Sequence, residues 1–288
     1  MAPLTSPSSL ERSTQGRFID RLSRLPWWLL IILLAGIFLF YKITTDELYS
    51  AILTKLQNGI GVTIFVTASA YAAAVALGLV VGLGRVSKSP IIFNLSTLYV
   101  QVIRGVPILV QIFYFAFVIT PAFFSLLHWL GAQWSGLLGA ENFLTQTSIQ
   151  DVSMLARVMV ALAIAYGGFE AETFRAGIES IGKGQMEAAR SLGMGYFQAM
   201  RYVILPQAIR RVLPPLGNDL ISMLKDSSLV SVLGVGDVTN EARLYAAASF
   251  RFPETYNTLA FTYLSMTVVL SLGVKALENR MGKDGRGS

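Results

Sequence analysis

The chain has 288 residues, of which 53% are hydrophobic and only 14% charged, where a soluble domain carries about 25% charged residues. With a mean hydropathy of +0.57 this excludes an ordinary soluble protein, and the uncharged runs from Leu56 to Gly84 and from Gly105 to Leu127 are long enough to span a bilayer. The lack of Cys excludes a disulfide framework, a thiolate metal site and a cysteine nucleophile, and the net charge of +6 becomes a question of which loops hold it.

Arg24 and Lys42 bracket the first apolar segment, Leu25 to Tyr41, which reaches roughly 26 Å as a helix. A signal peptide is the competing reading. The following Lys42-Ile43-Thr44-Thr45-Asp46-Glu47 offers no small-x-small cleavage site, so a retained anchor is expected. The second span runs from about Gly59 to Gly84 and sets Ala70, Ala74, Gly78 and Gly82 four residues apart, a ridge that lets helix backbones approach closely. The third begins near Pro107 and reaches Leu127, with Pro121 expected to end or kink it. A polar-aromatic stretch, His128 to Asp151, leads to the fourth, Ser153 to Phe169. The fifth, Leu213 to Val235, carries Asp219, Lys225 and Asp226, and such charges face a bundle interior or a water-filled cavity. The sixth runs from Tyr256 to Leu277.

Six spans put both termini on one side. That side holds the tail up to Arg24, the Arg85 to Arg104 connection, the loop from Arg175 to Arg211 and the tail from Lys275, with 17 of the 23 basic residues. The positive-inside rule makes it the cytoplasm, with Gly193 inside and Gln133 and Asn240 outside. The high pI then needs no nucleic acid.

Within the Arg175 to Arg211 loop, Gln185 to Leu192 holds good helix formers with Gly193 just beyond, which predicts a short helix and a glycine stop. A second helix is expected near Tyr196 to Leu205, closed by Pro206. Two short helices make a projection suited to docking a soluble partner; an amphipathic surface loop is the plainer alternative.

The spacing of Glu187-Ala188-Ala189, Gly193 and Val203-Ile204-Leu205-Pro206 resembles the EAA loop of ABC importer permeases, with Val203 where Ile is usual. Arg104-Gly105-Val106-Pro107, Glu172-Thr173-Phe174-Arg175-Ala176-Gly177-Ile178, Lys183-Gly184-Gln185, Gly217-Asn218 and Lys225-Asp226-Ser227-Ser228-Leu229 narrow the resemblance to the polar amino acid (histidine/glutamine/arginine) permeases. It covers about Gln57 to Arg280. The anchor at Leu25 to Tyr41 is additional to a five-helix core, and Pro121 to Asp151 is longer than that family's short connection.

The resemblance implies an all-α membrane protein of about six transmembrane helices, a five-helix type I ABC importer core plus one N-terminal helix, with a cytoplasmic EAA coupling loop. The expected divisions are a basic tail at 1–24, the extra helix at 25–43, a permease domain at 55–280 with its coupling loop at 176–211, and a tail at 281–288. It also implies a multi-pass protein of the bacterial cytoplasmic (inner) membrane. Its expected partners are a dimer of ABC ATPase subunits, a second permease subunit, identical or homologous, and an extracytoplasmic amino acid-binding protein. ATP and Mg would bind the ATPases, so this chain would hold no cofactor and catalyse no reaction. Glu187, Ala188, Ala189, Gly193, Leu205 and Pro206 would form the coupling site, the small residues letting the helix seat closely.

Polar residues at membrane depth are candidates for the substrate pathway: Gln101 and Arg104, Glu170 and Glu172, and Asn218, Asp219, Ser222 and Lys225. In a helix Asp219, Ser222 and Asp226 share a face, with Asn218 and Lys225 on a neighbouring stripe. Sealing a subunit interface, with Lys225 and Asp226 as an ion pair, is the other role open to them.

Gly177 to Gly184 nearly fits a phosphate-binding loop, but Gly184 stands where Ser or Thr is required and no strand precedes it. Asn94-Leu95-Ser96 is a glycosylation sequon only in a translocated loop. His128, Trp129 and Trp134 fit an interfacial belt rather than a metal or catalytic site. A secondary carrier or channel subunit for small polar solutes would use the same spans and charges but has no need of the EAA spacing. The residues do not choose among basic, acidic and neutral polar amino acids.

Overall fold

A computed structural model describes residues 27–138 and 143–283, and among them every regular element is helical. The basic tail at 1–24, the first residues of the anchor and the end of the chain after 283 lie outside the described residues. The chain divides into two units, Met1–Ala51 and Ile52–Ser288.

In the first unit, α1 (Trp27–Thr45) is apolar on all sides, with Trp27, Ile31, Leu34, Phe38 and Tyr41 exposed. A helix without a polar face has no water-facing side, and its 19 residues span roughly 28 Å.

The second unit is built around two helices packed almost backbone to backbone. Helix α2 (Glu47–Arg85) buries Gly59, Thr63, Val66, Ala70, Ala74, Gly78 and Gly82 on one face. The expected small-residue ridge is there, and its partner is α7 (Met154–Glu179). A Cβ on Gly82 would meet Phe174 Cβ at 2.8 Å and the Ala171 carbonyl oxygen at 2.9 Å. Above this contact Val66, Ala70, Ala74, Ile112, Val158, Ala161, Leu162, Tyr166, Met223 and Val230 form the apolar core.

Between them the residues from Arg85 to Arg104, expected as a connection, contain a helix, α3 (Pro90–Gly105). It opens on Pro90, where a missing N–H is harmless, and exposes Ile91, Leu95, Leu98 and Val102. The charges at its ends, Lys88 and Arg104, hide the helix in a charge count. After the extended residues Val106 and Pro107 the chain turns into α4 (Ile108–Tyr114), and Gln111 Nε2 spans the break by donating to the Ile103 and Val106 carbonyls, each at 2.7 Å.

Pro121 does not end the third span. A π turn at Phe115–Ile119 joins α4 to α5 (Thr120–Leu138), and the helix runs on through the stretch beginning at His128 that was expected to be external. Thr120 N–H bonds to the Phe115 carbonyl, one residue wider than an α-helix, which makes room where the proline lacks a donor and would crowd the preceding turn. His128 Nε2 lies against the Thr147 carbonyl, beyond the short helix α6 (Phe143–Gln146).

The same device recurs before Pro206. Helix α8 (Lys183–Ser191) is followed by α9 (Tyr196–Ala199), a π turn at Met200–Ile204 and α10 (Leu205–Asp226), with the Leu205 N–H bonded to the Met200 carbonyl. Pro206 therefore continues a helix that sequence reasoning expected it to close. A 3-10 stretch, Ser227–Leu233, stops at left-handed Gly234 and leads to α11 (Val238–Ser249) and α12 (Phe252–Lys283). Asp237 caps α11 through the Thr239 and Asn240 N–H groups at 3.1 and 2.9 Å. Burial pushes its carboxyl above the usual range while these bonds pull it down.

Among the described residues, four helices are long and apolar enough to cross a membrane: Glu47–Arg85, Ile108–Gly136, Met154–Glu179 and Phe252–Arg280. The first and fifth of the six expected spans fall on α1, apolar over Leu30–Thr45, and on the more polar α10, which are not among these four.

Candidate coupling loop and polar pathway

Three residues, Ser180 to Gly182, separate α7 from α8. The stop after α8 is a Schellman turn: Met194 N–H reaches the Ala189 carbonyl at 3.2 Å, Gly193 N–H reaches that of Arg190 at 3.0 Å, and Gly193 sits at φ +84°. That backbone suits glycine. The loop carries its own small core of Ile181, Ile204 and Ala208, with Ile178, Met186, Met200 and Val203 against it. Gln207 Nε2 donates to Val203 O at 2.8 Å and to Gln185 Oε1 at 3.3 Å, tying α8 to the start of α10.

The two alanines do not present a shared outward face. Ala189, one turn beyond Met186, is buried on the side of α8 that packs against the Met200–Ile204 turn, whereas Glu187, Ala188, Gly193, Leu205 and Pro206 are exposed. Adjacent residues in a helix point about 100° apart, so one of the pair belongs to the loop's own packing. The outermost apolar groups were not singled out from the sequence: Leu192 is 84% and Phe197 85% exposed, with Tyr196 edge-on to Phe197. The available signal was an aromatic pair directly after a glycine stop, in a loop otherwise rich in charge.

The pathway candidates separate into two groups. On α10, Asn218 and Lys225 are exposed while Asp219, Ser222 and Asp226 are half-buried, as the helical spacing predicts. Lys225 and Asp226 do not pair; Asp226 instead accepts the Tyr166 hydroxyl at 2.7 Å. Gln101 is exposed near the end of α3. Glu170 is fully buried, and neither carboxyl oxygen has a hydrogen-bond partner among the described residues. It therefore does not open onto a surface as a pathway contact would.

Glu172 is committed elsewhere. Its carboxylate is bonded by Arg85 and Arg175, and Arg104 Nη1 stands 4.0 Å away with its guanidinium 5.7 Å from the Phe169 ring centre. Arg175 also bonds Glu179. Beside this cluster a cleft of about 320 Å³ is lined by Thr173, Ala176, Ser180, Arg211 and Pro215, and Arg211 donates to the Ser180 carbonyl at 2.6 Å. Arg157, a conceivable carboxylate holder, spends its guanidinium on the Val152 and Ile149 carbonyls.

Comparison with known proteins gives this geometry its family. Residues 74–283 match the model for the binding-protein-dependent transport system inner membrane component. The chain is 36% identical over 227 residues to a probable glutamine ABC transporter permease protein, GlnM, of Bacillus subtilis (strain 168), covering 79% of this chain and 93% of that one. It is 33% identical over 226 residues to the glutamine transport system permease protein GlnP of Escherichia coli (strain K12), covering 78% and 92%. Among solved structures, a chain in the crystal structure of an amino acid ABC transporter with histidines superposes with a TM-score of 0.64 at 34% identity, over 79% of this chain and 94% of that one. The chain belongs to the family of binding-protein-dependent transport system inner membrane components.

Proposed function

We propose that the chain is the pathway-forming subunit of an ATP-driven importer of polar amino acids in the bacterial inner membrane, with both termini and the EAA loop in the cytoplasm. It pairs with a second permease subunit, and an external binding protein delivers the amino acid. ATP and Mg bind a separate ATPase dimer. The observation that carries this reading is the EAA loop: a short helix stopped by left-handed Gly193, with Leu192 just before the stop and Phe197 after it strongly exposed. Apolar side chains so exposed in water mark a docking surface. Its relatives include a glutamine transport system permease and a probable glutamine ABC transporter permease.

In this mechanism closure of the ATPases pulls on α8, and the pull reaches the membrane helices through the three-residue link to α7 and the continuous π-to-α join into α10. Pro214 and Pro215 inside α10 free carbonyls from the helix ladder. Its exposed Asn218, with Ser222 beside it, offers hydrogen-bonding groups to an amino acid in transit. An exposed polar stripe at membrane depth requires water or a protein partner, because a charge facing lipid costs about 2.5 to 3.5 kcal/mol on insertion scales. Phe197→Asp tests the docking: ATPase subunits should no longer co-purify, and retained co-purification with normal uptake would contradict it.

A further inference from the structure

The cluster around Glu172 joins three helices through one carboxylate. Arg85 is the last residue of α2, Arg104 the last but one of α3, and Arg175 lies one turn along α7 from Glu172 itself. The Arg85 side chain is only 12% exposed. The backbones below are already locked, since Gly78 and Gly82 press α2 onto α7, while Tyr99 of α3 donates to the Ile164 carbonyl of α7 at 2.6 Å. Beyond these contacts the final stretch of α7 packs against α10, with Gly177 seated on Val212, and Glu172, Arg175 and Glu179 form one stripe along it. That stretch runs directly into α8 through Ser180 to Gly182.

Resting on the coupling role assigned to the EAA loop, we propose that Glu172 is a positioning residue that transmits the movement of α8 to the ends of α2 and α3. The carboxylate acts as a clasp. When α8 is pulled, the end of α7 moves, and the guanidinium groups of Arg85 and Arg104 are drawn with it because they share one anion. Arg104 is the looser limb, 45% exposed and outside hydrogen-bond reach, so it can close on Glu172 or part from it as the helices shift. Without the clasp α7 would still move and carry the packed part of α2 with it, but the last turn of α2 beyond Gly82 and the end of α3 would follow less closely, and ATP would be spent with less opening of the pathway.

The competing role is purely structural: Glu172 neutralises buried Arg85 and does no more. A cycle of Glu172→Gln, Arg85→Gln and the double variant separates them, each reconstituted in proteoliposomes with its ATPase subunits and binding protein. Melting temperature, ATP hydrolysis and amino acid uptake per ATP are measured. Glu172→Gln should lower the melting temperature and reduce uptake per ATP about tenfold, within the range of coupling between sites. Arg85→Gln, which leaves Glu172 still neutralised by Arg175, should lower uptake per ATP by itself. The double variant should recover the melting temperature but not the uptake ratio. Recovery of both together, or a wild-type ratio in either single variant, would overturn the proposal. A wild-type complex with no ATP-dependent uptake would instead overturn the transport assignment on which it rests.

Discussion

Gly78 lies so close to Glu170 that a Cβ built on the glycine would stand 2.4 Å from the Glu170 Cβ. Helix α2 can approach α7 only because position 78 has no side chain. Gly78→Ala should therefore force the helices apart and destabilise the chain by about 1 to 3 kcal/mol. Gly61→Ala, on the same helix with open space around it, should be neutral or slightly stabilising. Thermal unfolding of both variants in detergent checks the pair, and equal effects would mean that the contact does not limit the approach of the two helices.

At Gly193 the backbone rather than the space decides. Nothing lies within 4 Å of a Cβ there, yet φ is +84°. Gly193→Ala should cost about 1 to 2 kcal/mol by loosening the turn after α8, and should weaken ATPase binding without blocking membrane insertion. Co-purification of the ATPase, titrated against its concentration, is the measurement. Ala189→Leu should disturb the loop's own packing, whereas Ala188→Leu should act only on the docked complex.

The charge distribution predicts a sidedness that labelling can read. On this Cys-free chain, Gln133→Cys and Ala248→Cys, both exposed, should react with an impermeant thiol reagent from outside the cell, and Lys183→Cys only after lysis. Asn240 is buried beneath the Asp237 cap, so a Cys there would be silent whatever the topology. External labelling at 183 would invert the assignment.

Much of this arrangement was legible because it follows from single, local constraints. Small residues at every fourth position of an apolar run have one use in lipid, and the start of the third span at Pro107 and the Gly193 stop are written in residues that restrict the backbone. Prolines 121 and 206 misled because their effect depends on the preceding turn: a π turn absorbs the missing donor, and no residue type announces it. Helix α3 was hidden by its charged ends. The division between buried Ala189 and exposed Ala188, and the diversion of Glu172 to Arg85, depend on partners distant in the chain, to which local spacing is blind. The α10 stripe was readable because helical periodicity alone sets it.

That stripe makes its own prediction. Asn218→Ala and Ser222→Ala, each removing one hydrogen-bonding group, should change substrate preference or raise the apparent transport constant by roughly 5- to 30-fold, as expected for one or two lost hydrogen bonds. ATP hydrolysis by the assembled complex should persist. Competition uptake across the polar amino acids checks it; complexes that fall apart with unchanged selectivity would assign these residues to a subunit interface.

The central claim is that amino acids cross through this chain at the expense of ATP hydrolysed elsewhere. The direct measurement is uptake into proteoliposomes containing the chain with its ATPase subunits and binding protein, with ATP and the proton gradient varied independently. The account predicts uptake that requires ATP inside, the ATPase and the binding protein, and that continues when the gradient is collapsed. Uptake that follows the proton gradient without ATP or ATPase would contradict it and make the chain a secondary carrier.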